Sequence, residues 1–496
     1  MILIKDSVVV DGTGKPGQKL DILIKDDRIA AIGSFPNQKV DVVIDALGLT
    51  TTPGFIDVNT DSDHYLSLFT NPAQQDFLLQ GVTTIIGGHC GSSLAPLIKG
   101  TLESIRKWGD TSQINVNWNT MAEFLKVLDS LKLGLNFGTL VGHSTIRRSL
   151  IGEDNRDLSF KELDVLRAVV RQALEDGALG ISTGLGYNHG RNTSYSEIKL
   201  IAELAAAYNA VYATHLRNER EGVVDAVTET IAVAHETGAR TLISHFRAIT
   251  GNGEEFEDAL RLIENAPSGT NIHFDGYPFD YSILPIYTLL PPWAQQGSME
   301  TMMKTLTEAG SEGEIIRTLP VFRAQDITIA SAPGFDYLVG KTLTDFGRSQ
   351  ELTQKESLIK LMKMTKLRAV LFKRNIDLSL TVKALMSERS LIASNSPSLL
   401  GGKNVLENER AVKTFPTFLE RAKEFNKSFE WAIKKVTSDA AILFNLQDRG
   451  IIKEGAIADL VVLSDNKAVH VFVGGKIVVQ DGIAKDLFNG KVLRRV

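Results

Sequence analysis

The chain has 496 residues, of which 43% are hydrophobic and 23% charged, with a formal net charge of -5; this composition excludes wholesale disorder and supports a large buried core. Its mild acidity, with no Lys/Arg-rich run and no basic stripe interleaved with aromatics, excludes an electrostatic footprint for nucleic acid or an anionic membrane and points to a small-molecule partner. A single cysteine excludes an internal disulfide, so Cys90 acts as a thiol, a thiolate or a packed apolar group.

The start, Met1-Ile2-Leu3-Ile4-Lys5-Asp6, reaches a charged pair too early for a signal peptide, and no run of about 18 apolar residues follows, so the chain is expected in the cytoplasm. Short alternating runs from Ile2 to Ile32, broken by Asp11-Gly12 and Asp26-Asp27, read as strands. Similar runs close the chain, from Ala458 to Leu463 and His470 to Val479 around a Gly474-Gly475 turn. Short sheets must hide their edges and one apolar face, so residues 1–52 and 455–496 are expected to form one small β-sandwich domain.

Between them the period changes to short apolar runs separated by helical segments, the pattern of βα units. The runs are Gly54 to Val58, Val82 to Ile86, Leu135 to Val141, Ala178 to Ser182, Ala210 to Thr214, Arg240 to Ser244, Asn271 to Phe274 and Leu391 to Ser394. Such a set predicts an α/β fold, a (β/α)8 TIM barrel spanning 53–454. Helices are expected over Phe160 to Asp176 and over Glu221 to Thr237, the latter ended by Gly238. The long gap before the last run contains Pro291-Pro292-Trp293 and an extra apolar stretch, Asp326 to Ala330, and predicts an inserted lid at about 285–350.

Barrel enzymes carry their active sites at the C-terminal strand ends. Just past the predicted strands stand Asn59, Asp61, Cys90, His143, His215, His245, Asp275 and Asn395. Thiolate and imidazole suit Zn²⁺, and a catalytic zinc takes three protein ligands with one open position, which Cys90, His215 and His245 can supply. Each also has a plainer reading, as a packed cysteine or a hydrogen-bonded histidine. His235 and His470 read as structural, while His64, His89 and His189 read as solvated loop residues near the rim.

Several segments resemble the N-acyl-D-amino-acid deacylase (D-aminoacylase) branch of the amidohydrolase superfamily: Pro53 to Val58, Gln80 to Thr84, Cys90-Gly91, Val141 to His143, Ser182 to Leu185, Thr214 to Glu219 and Ser244 to Arg247. The likeness continues through Asp275 to Phe279, Leu290 to Trp293, Thr414 to Pro416, Asp448 to Gly450 and Gly455 to Val462. The resemblance implies a barrel with a β-sandwich, one Zn²⁺ on Cys90, His215 and His245, and hydrolysis of a non-peptide amide such as an N-acyl amino acid. It also implies substrate contacts at Asn59, His143, Tyr187, Arg217, Arg247, Tyr277 and Arg410. The family's His-x-His after the first strand and its aspartate base after the eighth are replaced by Asn59, Asp61 and Asn395. An amide cannot accept a proton at neutral pH, so the expected catalytic residues are Asp61, as replacement base ahead of Asp63 and Asp275, and Asn395. Loss of those groups leaves open a binding or regulatory homologue that keeps one metal, or an altered reaction. The oligomeric state is open.

Overall fold

The computed structural model describes residues 1–496 except 100, 101, 103, 104, 106, 107, 110, 112, 113 and 399–405. Its centre is an eight-stranded parallel sheet in the order of a barrel. The strands are Phe55–Asp57, Val82–Gly87, Asn136–Gly142, Gly180–Gly184, Val211–His215, Arg240–Ile243, Ile272–Gly276 and Ser390–Ile392. Each falls within about a residue or two of its predicted run, because fully buried parallel strands need apolar side chains on both faces. The first and last strands meet through backbone hydrogen bonds just beyond their ends: Asn395 donates to the Asn59 carbonyl at 2.9 Å and Asp61 to that of Ser396 at 3.1 Å. Ile56, Val58, Ile86, Leu140, Leu179, Val211, Ala213, Leu242, Leu391 and Ala393 form one buried cluster contributed by strands all round the barrel.

The helices between strands follow their local signals. Phe160–Glu175 begins at a Ser159/Glu162 capping box and buries Leu166, Val170 and Leu174. Val223–Thr237 starts two residues later than predicted, after a left-handed Gly222, and ends at a left-handed Gly238. In the helix Glu409–Glu424, Pro416 interrupts the backbone ladder. The Gln80 side chain takes over there, accepting from Phe415 N at 3.2 Å and donating to the Ala411 carbonyl at 2.5 Å.

Strands from both termini join in one nine-stranded sheet, whose path runs from the closing hairpins through Leu460–Ser464 and Thr50–Pro53 to Ile2–Val9, Gln18–Lys25 and Arg28–Gly33. Ile2–Val9 pairs with Val42–Asp45 along one part and Thr50–Pro53 along another, with an irregularity between Ile4 and Ser7. The layers expected of a sandwich are therefore one connected sheet, with residues from both of its ends sharing a core that includes Ile4, Ile22, Ile44, Ala458, Val462 and Phe472. Asp459 ties this sheet to the barrel. Its buried carboxylate accepts from Asn136 Nδ2 at 2.9 Å, Gly474 N at 2.7 Å and the Arg449 guanidinium.

The segment between barrel strands seven and eight is larger than the predicted 285–350. Its three-stranded antiparallel sheet pairs Tyr281–Pro285 with Val370–Arg374, and the latter with Ile327–Ser331. Lys373 and Arg374 break the apolar run of the second strand, so periodicity alone does not reveal it. Met302, Leu306, Ile315, Leu343, Leu358 and Leu371 belong to its own buried core. Among the described residues, no helix is long and apolar enough to cross a membrane.

Removing one partner of a buried ion pair costs about 3–5 kcal/mol, because the other charge is left uncompensated. Asp459→Ala, which strands the Arg449 guanidinium and leaves Gly474 N without its acceptor, is expected to lower stability by about that amount. Urea denaturation followed by tryptophan fluorescence measures it, and an unchanged midpoint would count against this junction.

Candidate metal centre

Three strand ends deliver the donors predicted from the sequence. The second strand ends in Gly88-His89-Cys90-Gly91, where Cys90 and Gly91 take φ of 54° and 74°. His245, just past the sixth strand, has φ of 41°, and Asn395, past the eighth, has φ of 44°. Left-handed backbone is uncommon for residues other than glycine and concentrates where the surrounding structure over-determines a site. His215 is the last residue of the fifth strand. The ligand atoms of Cys90, His215 and His245 lie within 4.8 Å of one another, and all three residues are buried. Cys90 Sγ stands 3.3 Å from His245 Nε2, close to the S···N separation of about 3.5 Å that tetrahedral zinc bond lengths impose. A Cβ at position 186 would come within 2.5 Å of His215 Nε2, so Gly186 leaves room for that ring.

One carboxylate orients both imidazoles. Glu219 Oε1 lies 2.9 Å from His245 Nδ1, and Oε2 lies 3.5 Å from His215 Nε2. The Arg247 guanidinium bridges the same carboxylate, donating to Oε1 at 2.7 Å and Oε2 at 3.2 Å. Burial opposes the Glu219 charge, but Arg247 and the two imidazoles hold its carboxyl well below the usual range. With Glu219 taking those nitrogens, His245 Nε2 and His215 Nδ1 remain for a ligand, and His215 Nδ1 is buried with no hydrogen-bond partner. Burial pushes His215 down to about 3, so its ring is neutral. Burial, followed by the charges of Asp61, Glu219 and Asp275, pushes the Cys90 thiol well above its ordinary value. A bound cation would invert that balance and deprotonate the sulfur. An unpartnered imidazole nitrogen, a thiol surrounded by acids and tetrahedral spacing together fit one zinc ion.

The aspartates at the mouth of the barrel differ in access. Asp57, Asp63 and Asp275 are sealed, at 0%, 1% and 0% exposure, whereas Asp61 retains 7%. Asp275 accepts from His245 N at 2.8 Å and from Asn59 Nδ2 at 3.2 Å, and burial pushes its carboxyl up to about 6. Burial would also raise Asp61, but the His64 ring facing it at 3.3 Å, with the charge of Arg410 behind, outweighs it and holds that carboxyl below its ordinary value. Tyr187, partly exposed, places its ring 4.7 Å from that of His215. Beside it, a cleft is lined by Glu153, Tyr187, His189 and Tyr287.

Other candidates already have protein partners. Arg217 forms a two-pronged pair with Glu229 and donates to the Arg191 and Thr193 carbonyls. His143 binds Glu197 at 2.7 Å, and Arg147 holds the same carboxylate, all of them buried. Arg410 stacks on Tyr277 at 3.7 Å and donates to the Ser394 and Asn395 carbonyls, with both side chains 1% exposed. The solvated-loop expectation fails for His64 and His89, which are both 0% exposed. Long-range partners, invisible to local pattern, decide each of these. Glu219 escapes sequence reasoning for the same reason, although its place four residues after His215 is the signal that points to it.

A comparison with protein-family models finds no match. Over 283 residues the chain is 31% identical to a D-aminoacylase from Alcaligenes xylosoxydans xylosoxydans, covering 56% of this chain and 57% of that protein. It is 33% identical over 282 residues, with the same coverage, to an N-acyl-D-glutamate deacylase of that organism. The matched stretch thus spans little more than half the length of these curated relatives. A crystal structure of D-aminoacylase, described as defining a novel subset of amidohydrolases, superposes with a TM-score of 0.82 and 25% identity over 100% of this chain and 99% of its own. The chain is a homologue of D-aminoacylase and of N-acyl-D-glutamate deacylase. Another structure of this branch, N-acyl-D-glutamate deacylase from Bordetella bronchiseptica complexed with zinc and a phosphonate inhibitor, superposes with a TM-score of 0.82 and 25% identity over 99% of each chain. A further D-aminoacylase structure is described as bearing on a binuclear metal centre.

Groups that orient metal ligands typically contribute 10–100-fold to metal affinity. Glu219→Gln is therefore expected to weaken zinc binding by about 10–100-fold while leaving the fold intact, which competition with a chromophoric chelator measures. Unchanged affinity would remove Glu219 from this role.

Proposed function

We propose that the protein is a zinc-dependent amidohydrolase that cleaves the amide of N-acyl-D-amino acids or related compounds, using one zinc on Cys90, His215 and His245. The observation that carries this reading is the convergence of those three donor atoms within 4.8 Å at three barrel strand ends. The hydrolytic names of the relatives favour it over a binding homologue. When bound, zinc would polarise the substrate carbonyl and lower the pKa of water.

The chain's own residues then have separate tasks. Glu219 and Arg247 hold the two imidazoles in their ligating orientation. Asp61, the aspartate near Cys90 that is not fully sealed, takes the proton from water and passes it to the leaving nitrogen, since Glu219 is committed to Arg247 and His245. Asn395 presents its amide at the end of the eighth strand as a neutral donor, where it cannot serve as a base. Tyr187, and the partly exposed edge of Arg247, face the substrate, the guanidinium supplying positive charge for its carboxylate. Asn59 acts one step back, through its bond to Asp275.

Zinc-loaded protein assayed with a panel of N-acyl-D- and N-acyl-L-amino acids should release free amine from the D series. Cys90→Ala should lose both zinc and turnover. A general base contributes typically 10²–10⁴-fold, so Asp61→Asn should keep its zinc and lose about that much kcat. No amine from any substrate, with zinc bound, would overturn the enzymatic reading; full turnover in Asp61→Asn would remove Asp61 as the base.

A further inference from the structure

Beside the three-donor cluster lies a second ionic arrangement that the reading above does not use. His64 is completely buried, yet both of its ring nitrogens face acceptors. Nδ1 is 3.3 Å from Asp61 Oδ1 and Nε2 is 3.1 Å from the Ser92 carbonyl oxygen. A neutral imidazole has one N–H, which the Ser92 carbonyl takes, and would leave a bare Nδ1, buried with no hydrogen-bond partner, facing a carboxylate oxygen at ion-pair distance; an imidazolium turns that contact into an attraction. The Trp108 ring stacks on the imidazole at 5.5 Å and 25°, an arrangement that favours a cation. Asp63, on the same loop and also buried, adds a second negative charge, while Gly88 N satisfies its Oδ2 at 2.7 Å. The other titratable neighbour is His89, from the loop after the second strand. Burial opposes protonation of His64, but Asp63 and Asp61 outweigh it and carry the group up to about 9.

We propose that His64 is a resident buried cation, protonated across the neutral range, which holds Asp61 as a carboxylate facing the metal donors and occupies the electrostatic place a second metal ion would otherwise fill. The placement of Asp61 rests on the zinc reading above; the charge on His64 does not. His64 is a positioning residue. It faces Asp61 and, among the described residues, makes no hydrogen bond or ion pair with a donor of the cluster. Among the described residues, Cys90, His215 and His245 form the one group of three side chains spaced to hold a metal. The nearby acids are compensated from within: Asp61 by His64, Asp275 by His245 N and Asn59, and Asp57 by Asn59 N at 3.2 Å and Ser394 N at 3.0 Å.

The test uses the full-length protein with ring-15N-labelled histidine, His64 being assigned by through-bond correlation and by loss of its signal in His64→Asn. Both ring nitrogens of His64 should stay protonated from pH 6 to 8; a neutral His64 at pH 7 would overturn the proposal. Apo-protein titrated with zinc by calorimetry should take up one equivalent and no second up to millimolar zinc. His64→Asn should admit a second, weaker equivalent, and His64→Lys, which keeps the charge, should not. Two equivalents in the wild type would sink this inference and leave the zinc reading standing. No zinc at all would sink the zinc reading, while the NMR result would still decide the charge on His64. Because the folded-state value is raised, the stability His64 contributes is fully present below about 6.5 and is lost as pH rises through about 9. The urea midpoint of the zinc-loaded wild type should therefore fall over that window more than that of His64→Asn, and equal slopes would count against the charge.

Discussion

Everything at the mouth of this barrel depends on keeping negative charge buried. Asp57, Asp61, Asp63 and Asp275 lie within a few residues of strand ends that water barely reaches. An isolated carboxylate in such a place is expensive unless it is protonated, hydrogen-bonded or paired. Each finds a different answer. Asp61 takes an imidazole, Asp63 a backbone N–H, Asp275 a backbone N–H and an amide, and Asp57, pushed by burial up to about 7, two backbone N–H groups. Unequal compensation produces unequal chemistry from one residue type. Among these four aspartates, Asp61 is the one that is both held ionised and not fully sealed, whereas the more exposed carboxylate of Glu219 is committed to Arg247 and His245.

Much of this architecture can be read from the chain alone. Eight apolar runs mark the eight strands because parallel barrel strands are buried on both faces. Cys90, His215 and His245 stand one step past three of those runs, so topology alone brings them to one rim. What resists reading is partnership between distant residues. Arg217 looks like a site residue by position, but Glu229 claims it. His143 looks like a rim histidine, but Glu197 claims it. His64 looks like a loop residue, and only its contact with Ser92, 28 positions away, shows that it is interior. The edges of the insertion escape for another reason, since Val370–Arg374 is a strand whose last two residues are charged and only partly buried or exposed.

Three residues just past barrel strand ends, Cys90, His245 and Asn395, occupy left-handed backbone. Such a residue costs on the order of 1–3 kcal/mol, which the rigid strands on either side offset. The arrangement fixes the direction of each side chain before any ligand arrives, and Glu219 with Arg247 then fixes the ring orientations. Binding thus needs little reordering, in keeping with sites that are largely preformed.

The solitary thiol also sets how the protein would meet oxidants. With no second cysteine in the chain, Cys90 cannot be rescued as an internal disulfide, and oxidation would carry it to sulfenic acid or beyond. Its protection is steric: the sulfur lies in a residue only 4% exposed, and burial holds it as the less reactive thiol until a metal claims it. Peroxide damage would therefore require the mouth of the barrel to open first, making the motion of that rim, rather than the chemistry of the sulfur, the step that sets its oxidative lifetime.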